Sequence, residues 1–275
     1  MDASIHPQQA LQAILDVIEH SNGDADGFAG TLRREHIPHL SFSQVTTAEF
    51  CPYRYHLQYI QNRDPDPVPE YFTKGKLFHQ VVAASYREDR ASASGAYQLA
   101  LGTFAREYGG DNQHHLANAF LVHLENYWAG CEVIAVEKPF AMLIDPHLPP
   151  CVGVIDLIIK KDSRTIIVDH KTGRDFYPQD ELQMAIYVEY MRNLFGQVQY
   201  EFYYDHYRWV NNLGRIRKPA FQRTCVSQSA SWSQMLERIR RGNDVIERIK
   251  SSGRGARIGE CFRCPYRRTC HPING

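Results

Sequence analysis

Residues 151–174 read CVGVIDLIIKKDSRTIIVDHKTGR, and this stretch constrains the chain more than any other. Val152, Val154, Leu157, Ile158 and Ile159 form one β-type run, and Ile166, Ile167 and Val168 form a second. Lys161-Asp162-Ser163-Arg164 between them has turn composition. The expectation is a β-hairpin, with Asp156 in its first strand and Asp169 closing the second. Lys171 follows Asp169 by two positions, so both side chains project from one face. Charges in an apolar hairpin are costly to bury unless they pair or hold a metal. Two carboxylates and an ammonium at one place therefore point to divalent-metal binding and phosphoester chemistry.

The chain has 275 residues, 43% of them hydrophobic, enough for one sizeable core. It has no apolar run long enough to span a bilayer, and MDASIHPQQA lacks the features of a secretory signal. A cytoplasmic, reducing setting is expected, in which the seven cysteines do not form a disulfide framework. Net charge is zero, with 31 basic and 31 acidic residues, but it is unevenly spread. Residues 211–275 carry 14 Lys/Arg against 4 Asp/Glu, and residues 1–210 carry the opposite imbalance. A basic C-terminal surface for a polyanion is expected, Arg215, Arg217, Lys218 and Arg223 included.

Residues 8–20 have helical periodicity in Leu11, Ile14, Leu15 and Ile18, and a Gly/Asp-rich loop is expected over 21–30. Residues 1–35 are read as a helical extension and 36–275 as the main domain, with a helical insertion at about 85–130. His114, His115 and His123, within that insertion, are expected on the surface. Residues 132–143 alternate as a strand with Glu137 in its middle. Residues 180–196 form a helix placing Gln183 and Tyr187 on one face, four apart. QVQYEFYYDHYRW at 197–209 is a strand with aromatics on both faces, read most simply as sandwiched core and alternatively as a base-stacking platform. The order of helices, three strands, helix and strand argues for an α/β fold around one mixed sheet.

The chain closes with GECFRCPYRRTCHPING. Cys261-x2-Cys264-x5-Cys270 is dense thiol spacing, which in a reducing compartment signals metal. Three thiolates need a fourth ligand, and His271 makes a Cys3His zinc site one reading.

Gly153-x-x-Asp156 followed by Asp169-x-Lys171-Thr172-Gly173 resembles the active-site hairpin of the PD-(D/E)XK nucleases, in the RecB-type branch. The resemblance extends over residues 40–275. Gly75-x-x-x-His79 looks like the first motif of that branch, Gln183-x-x-x-Tyr187 like its last, and Cys51-Pro52 followed by aromatics like the opening of the CRISPR-associated iron–sulfur exonucleases. What the resemblance implies is a restriction-endonuclease-like core and a metal-dependent DNA exonuclease. By it, His79, Asp156, Asp169 and the His170 carbonyl hold Mg2+ or Mn2+, Lys171 serves the reacting water, and Gln183 and Tyr187 line the site. In the family the strand over 132–143 often carries a glutamate near the site, which makes Glu137 a second-rank candidate. Cys51 with Cys261, Cys264 and Cys270 matches the arrangement that holds a [4Fe–4S] cluster, against the zinc alternative. The implied partners are DNA, single-stranded or at ends, and a separate helicase or CRISPR integration complex, since no P-loop is present. A catalytically silent DNA-binding module is the rival reading.

Overall fold

A computed structural model describes residues 5–21, 25–65, 68–87, 98, 102, 113–176, 180–196, 199–209, 220–226, 231–253, 255–257, 261 and 264–270. Along the chain these give α1 (Pro7–His20), α2 (Ala25–Arg34), β1 (Leu40–Ser41), α3 (Phe42–Phe50), α4 (Pro52–Tyr55) and a π-helical turn (His56–Ile60). Next come α5 (Glu70–Tyr86), α6 (Gln113–Glu125), β2 (Glu132–Met142), β3 (Cys151–Lys161) and β4 (Arg164–Gly173). The remainder is α7 (Glu181–Phe195), β5 (Tyr200–Arg208), β6 (Phe221–Val226), α8 (Trp232–Ser252) and α9 (Arg267–Cys270).

The strands hydrogen-bond in the order β1-β3-β4-β5-β6, with β2 also paired to β3. β3–β4 and β5–β6 are antiparallel, while β1–β3 and β4–β5 are parallel. This is the mixed α/β architecture that the order of elements implies. The parallel β4–β5 pair needs a long crossover, and α7 supplies it. By compactness the chain forms two units, each built from separated segments.

The first unit comprises Met1–Pro69, Pro139–Val154 and Ser229–Gly275. The loop expected over 21–30 is a correction, because residues from Ala25 onward form α2. Phe28 and Leu32, four apart on that helix, are buried with Ala10 and Ile14 of α1, Ile37, Ala141 and Val152. The N-terminal helices thus share a core with Ile37, Ala141 and Val152. α8 begins in a reciprocal Ser231–Gln234 capping box and buries Met235, Ile239, Ile246 and Ile249 on one stripe.

The second unit comprises Glu70–Lys138 and Ile155–Gln228. Its hairpin turns through Asp162 and Ser163, at φ 49° and 64°, with Lys161 paired to Arg164. Two left-handed central residues match the right-handed twist of the flanking strands. Leu157 and Ile159 of β3 and Ile166 and Val168 of β4 pack with Phe78, Val81 and Val82 of α5 and Leu116, Ala119 and Phe120 of α6. Phe202, Tyr204 and Tyr207 of β5 are all buried, so the core reading of that aromatic strand holds and its platform alternative does not. Half of the expected insertion, like Arg215, Arg217, Lys218 and the His114 side chain, lies outside the described residues.

Candidate active site

Alternation along β4 sorts the site. Ile166, Val168 and His170 face one side of the sheet, while Ile167, Asp169 and Lys171 face the other. The Leu157–Val168 register brings Asp156 to the level of Asp169. The amide of His170 donates to Asp156 Oδ2 at 2.7 Å, fixing that carboxylate from the neighbouring strand.

On the α7 side, Lys171 Nζ lies 2.6 Å from Asp169 Oδ2 and donates to Gln183 Oε1 at 3.0 Å. The Gln183 amide donates in turn to Asp169 Oδ1 at 2.7 Å and to the Tyr187 hydroxyl at 3.0 Å. Gln183 therefore orients the acid and the base of Asp169-x-Lys171 together. α7 can present this pair because Asp180 caps its start, accepting from the amide of Leu182. Burial holds the Tyr187 hydroxyl well above its usual range, with Asp169 adding to the effect, so it stays protonated.

A second group forms around His79 of α5. Its Nδ1 lies 3.5 Å from Asp156 Oδ2 and 3.8 Å from Glu137 Oε1. One ligand atom from each of His79, Glu137 and Asp156 falls within 4.8 Å of the others, a grouping close enough to share one ion. Glu137 sits in β2 with φ 49°, a left-handed backbone that a non-glycine residue adopts at a cost. The kink falls at the residue whose carboxylate meets the histidine. Sequence reasoning ranked Glu137 second. The motif residues gave no way to see the kink, though the Pro139 two residues on marks an irregular strand.

Electrostatics separates the two aspartates. Burial disfavours charge on Asp156, but His79 overrides it, with His170 and Lys171 helping, and brings its pKa down to about 2. Burial pushes Asp169 up to about 6, with Lys171 opposing and Asp156 adding to the rise. Burial disfavours the His79 cation, yet Asp156 and then Glu137 hold its pKa well above the usual value. Burial, followed by the Asp156 charge, raises Glu137. The four groups thus form one coupled, buried network of opposite charges.

Behind the site, the expectation of a surface His123 is corrected. It is 0% exposed, bonded to Ser85 Oγ at 3.0 Å and to the Tyr207 hydroxyl at 3.1 Å. Tyr207 reaches His170 Nδ1 at 3.4 Å, so a buried polar chain backs β4 where His170 turns away from the carboxylates. Leu116, Ala119, Phe120 and His123 follow i, i+3, i+4, i+7, a periodicity that marks His123 as inward-facing. Arg223 is also corrected as a surface cation. It pairs with the fully buried Asp205 at 2.7 Å, donates to the Asn126 carbonyl and stacks 3.8 Å over Trp128.

In the first unit, Cys51, Cys261, Cys264 and Cys270 are neighbours. Burial raises the Cys270 thiol, Arg257 opposes this, and Cys261, Cys51 and Cys264 each push it further up. The approach depends on Gly255, where a Cβ would meet the Pro52 carbonyl at 2.2 Å. With no side chain there, the Tyr53 amide donates to the Ala256 carbonyl at 3.1 Å. The Cys261–Cys264 turn closes through the Cys264 amide at 3.2 Å, and Tyr266 anchors it by donating to the Arg63 carbonyl at 2.8 Å. His271 lies outside the described residues.

The family model described as the PD-(D/E)XK nuclease superfamily matches residues 39–271. The chain belongs to that superfamily. Membership implies a nuclease, with DNA as its substrate class. Among solved structures, a candidate exonuclease from Eubacterium rectale is similar over 88% of this chain and 92% of its own, with TM-score 0.53 and 13% identity, a likeness of fold. SSO0001 matches over 88% and 93% at 15% identity and TM-score 0.40. No curated protein matches the chain. No described helix is long and apolar enough to cross a membrane.

Proposed function

We propose that this PD-(D/E)XK nuclease is a divalent-metal-dependent DNA exonuclease of the RecB-type, iron–sulfur branch, acting in the cytoplasm on single strands or ends. The observation that carries this reading is the convergence of His79, Glu137 and Asp156 beside the Gln183-clamped Asp169–Lys171 pair.

The donor set fits the ion the family uses. One imidazole nitrogen and two carboxylate oxygens suit Mn2+, and Mg2+ with retained water. His79, Glu137 and Asp156 would hold it, with Asp169 and the His170 carbonyl as the further ligands implied by the motif. A bound divalent ion activates water at neutral pH and offsets charge on the scissile phosphate. The residues do the rest. Lys171, 2.6 Å from Asp169, is placed to position the attacking water or to donate to the phosphate oxygens as charge builds. Gln183 and Tyr187 keep Asp169 from rotating away. Before an ion binds, His79 and Asp156 pair with each other, and binding would release the His79 proton.

The four cysteines fit a [4Fe–4S] cluster as its ligands. A single zinc needs its sulfurs about 3.8 Å apart, from Zn–S bonds of about 2.3 Å in a tetrahedron. Among the described residues, the His79 group alone gathers three ligand atoms that closely. A [4Fe–4S] cluster would set its sulfurs farther apart than one zinc does, and would serve a structural role in the first unit.

The deciding experiment assays anaerobically prepared protein on end-labelled single- and double-stranded DNA with Mg2+ and with Mn2+. Stepwise loss from labelled ends, absent in EDTA and in Asp156→Ala, is expected. Absence of cleavage with either ion would return the chain to the silent binding module.

A further inference from the structure

The first turns of α5 carry two exposed aromatic side chains. Tyr71 is 52% exposed and Phe72 is 42% exposed, and their rings meet edge-on at 4.6 Å. Burying such a ring is favourable by about 2 kcal/mol, so an exposed pair on an ordered helix calls for an occupant. Position on the helix indicates which. Phe72, Gly75, Lys76 and His79 stand at i, i+3, i+4 and i+7, one stripe of α5 that ends at the candidate metal ligand. At 1.5 Å per residue, Phe72 lies about 10 Å from His79 along the axis. Between them Gly75 packs on the end of β4. A Cβ there would stand 3.5 Å from Thr172 Oγ1, the residue after Lys171. The stripe thus borders the end of β4, and Lys76, exposed on it, brings positive charge to the same stretch.

We propose that Tyr71 and Phe72 form a stacking platform for an unpaired nucleobase, one or two nucleotides from the phosphate cut beside His79. The proposal rests on the nuclease reading and specifies its substrate: a single strand, or an end frayed into one. Every base has a flat face to lay on the ring, so the platform supplies affinity without sequence preference. Lys76 meets the phosphate between that base and the site. A duplex, whose bases face each other, leaves the platform unused.

The test compares wild type, Phe72→Ala, Phe72→Trp and Tyr71→Ala on single-stranded oligonucleotides, intact or with one abasic nucleotide moved stepwise from the cleaved bond. Phe72→Ala should raise KM about 10-fold, as loss of one base–aromatic stack does, with kcat and the Mn2+ midpoint held. Phe72→Trp should restore KM. In wild type an abasic nucleotide at one position should cause the same loss, and in Phe72→Ala it should add none. Equal abasic losses in both proteins, or an unchanged KM in Phe72→Ala, would overturn the platform. So would dissociation of a wild-type dimer by Phe72→Ala in sedimentation, because the face would then bind a second copy. Binding of the same oligonucleotides to Asp169→Asn, read by fluorescence anisotropy, repeats the comparison without cleavage. If wild type cuts nothing, the nuclease reading fails alone, and this binding arm still decides the platform.

Discussion

His170 gives its backbone amide to Asp156 Oδ2, while its neighbours Asp169 and Lys171 hold each other on the same strand at 2.6 Å. The hairpin's register and the site's geometry are therefore one arrangement. A one-residue slip would send Asp169 and Lys171 to the opposite face.

Substitutions in this group should separate chemistry from folding. Asp156→Asn, Asp169→Asn and Lys171→Ala should each slow single-turnover cleavage by at least about 100-fold. Circular dichroism should show the fold retained. Wild-type turnover by Lys171→Ala in both Mg2+ and Mn2+ would remove the lysine from the reaction.

Glu137 is held at φ 49°, and strain at a functional residue should trade against stability. Glu137→Gly should be about 1 kcal/mol more stable than Glu137→Ala, because glycine adopts that backbone freely. Both variants should need at least about 10-fold more Mn2+ for half-maximal binding. Urea denaturation and calorimetric titration measure the two effects, and an unmoved Mn2+ midpoint would exclude Glu137 as a ligand.

Burial, with Arg223 adding, holds His123 down to about 3, far below its value in an unfolded chain. Between about pH 6.5 and 3 the unfolded chain binds a proton that the native state refuses. Stability from this residue is thus complete above pH 6.5 and falls as pH drops, by up to about 1.4 kcal/mol per pH unit. Metal-free His123→Asn should unfold with a shallower acid slope than wild type by about one proton. Parallel slopes would mean that His123 titrates normally.

Arg223 pairs with Asp205, whose carboxylate is fully buried. Arg223→Ala should destabilise the second unit by about 3 kcal/mol, since it strands that charge. The salt dependence of DNA affinity should stay as it is, because the cation is already spent inside the protein. A flattened slope of log affinity against log salt would put Arg223 on the DNA path.

For the thiols, anaerobically purified protein should be brown, with about four irons and four sulfides. Cys51→Ala should bleach it as fully as Cys264→Ala and lower the Tm of the first unit. Colourless protein holding one zinc, indifferent to Cys51, would replace the cluster by a Cys3His site.

The hairpin could be read from sequence because its information is local: period-two apolar runs, a polar turn and charges two apart on one face. The Gln183–Tyr187 pair was legible for the same reason, since helical spacing alone puts the two side chains together. Other features depend on packing between distant segments. α2 looked like loop because Gly23, Asp24, Asp26 and Gly27 carry poor helix propensity, while Phe28 and Leu32 are rewarded only by a core shared with Ala141 and Val152. His123 and Arg223 read as surface because imidazole and guanidinium groups usually are. Tyr207, Ser85 and Asp205 supply the partners that let them be buried, and all of these lie 18 to 84 residues away.

The interleaving of the two units sets an order of assembly. Every segment of the site-bearing unit is in hand once residue 228 has been made, whereas the other unit must join residues up to 69 to those beginning at 229. Pairing so remote is slow, because a long loop must close before any contact rewards it. During synthesis the carboxylates and Lys171 can therefore be in place while Cys51 still waits for Cys261, Cys264 and Cys270. Gathering of the four thiols would thus be the late event of assembly, reached after the carboxylates and Lys171 are set.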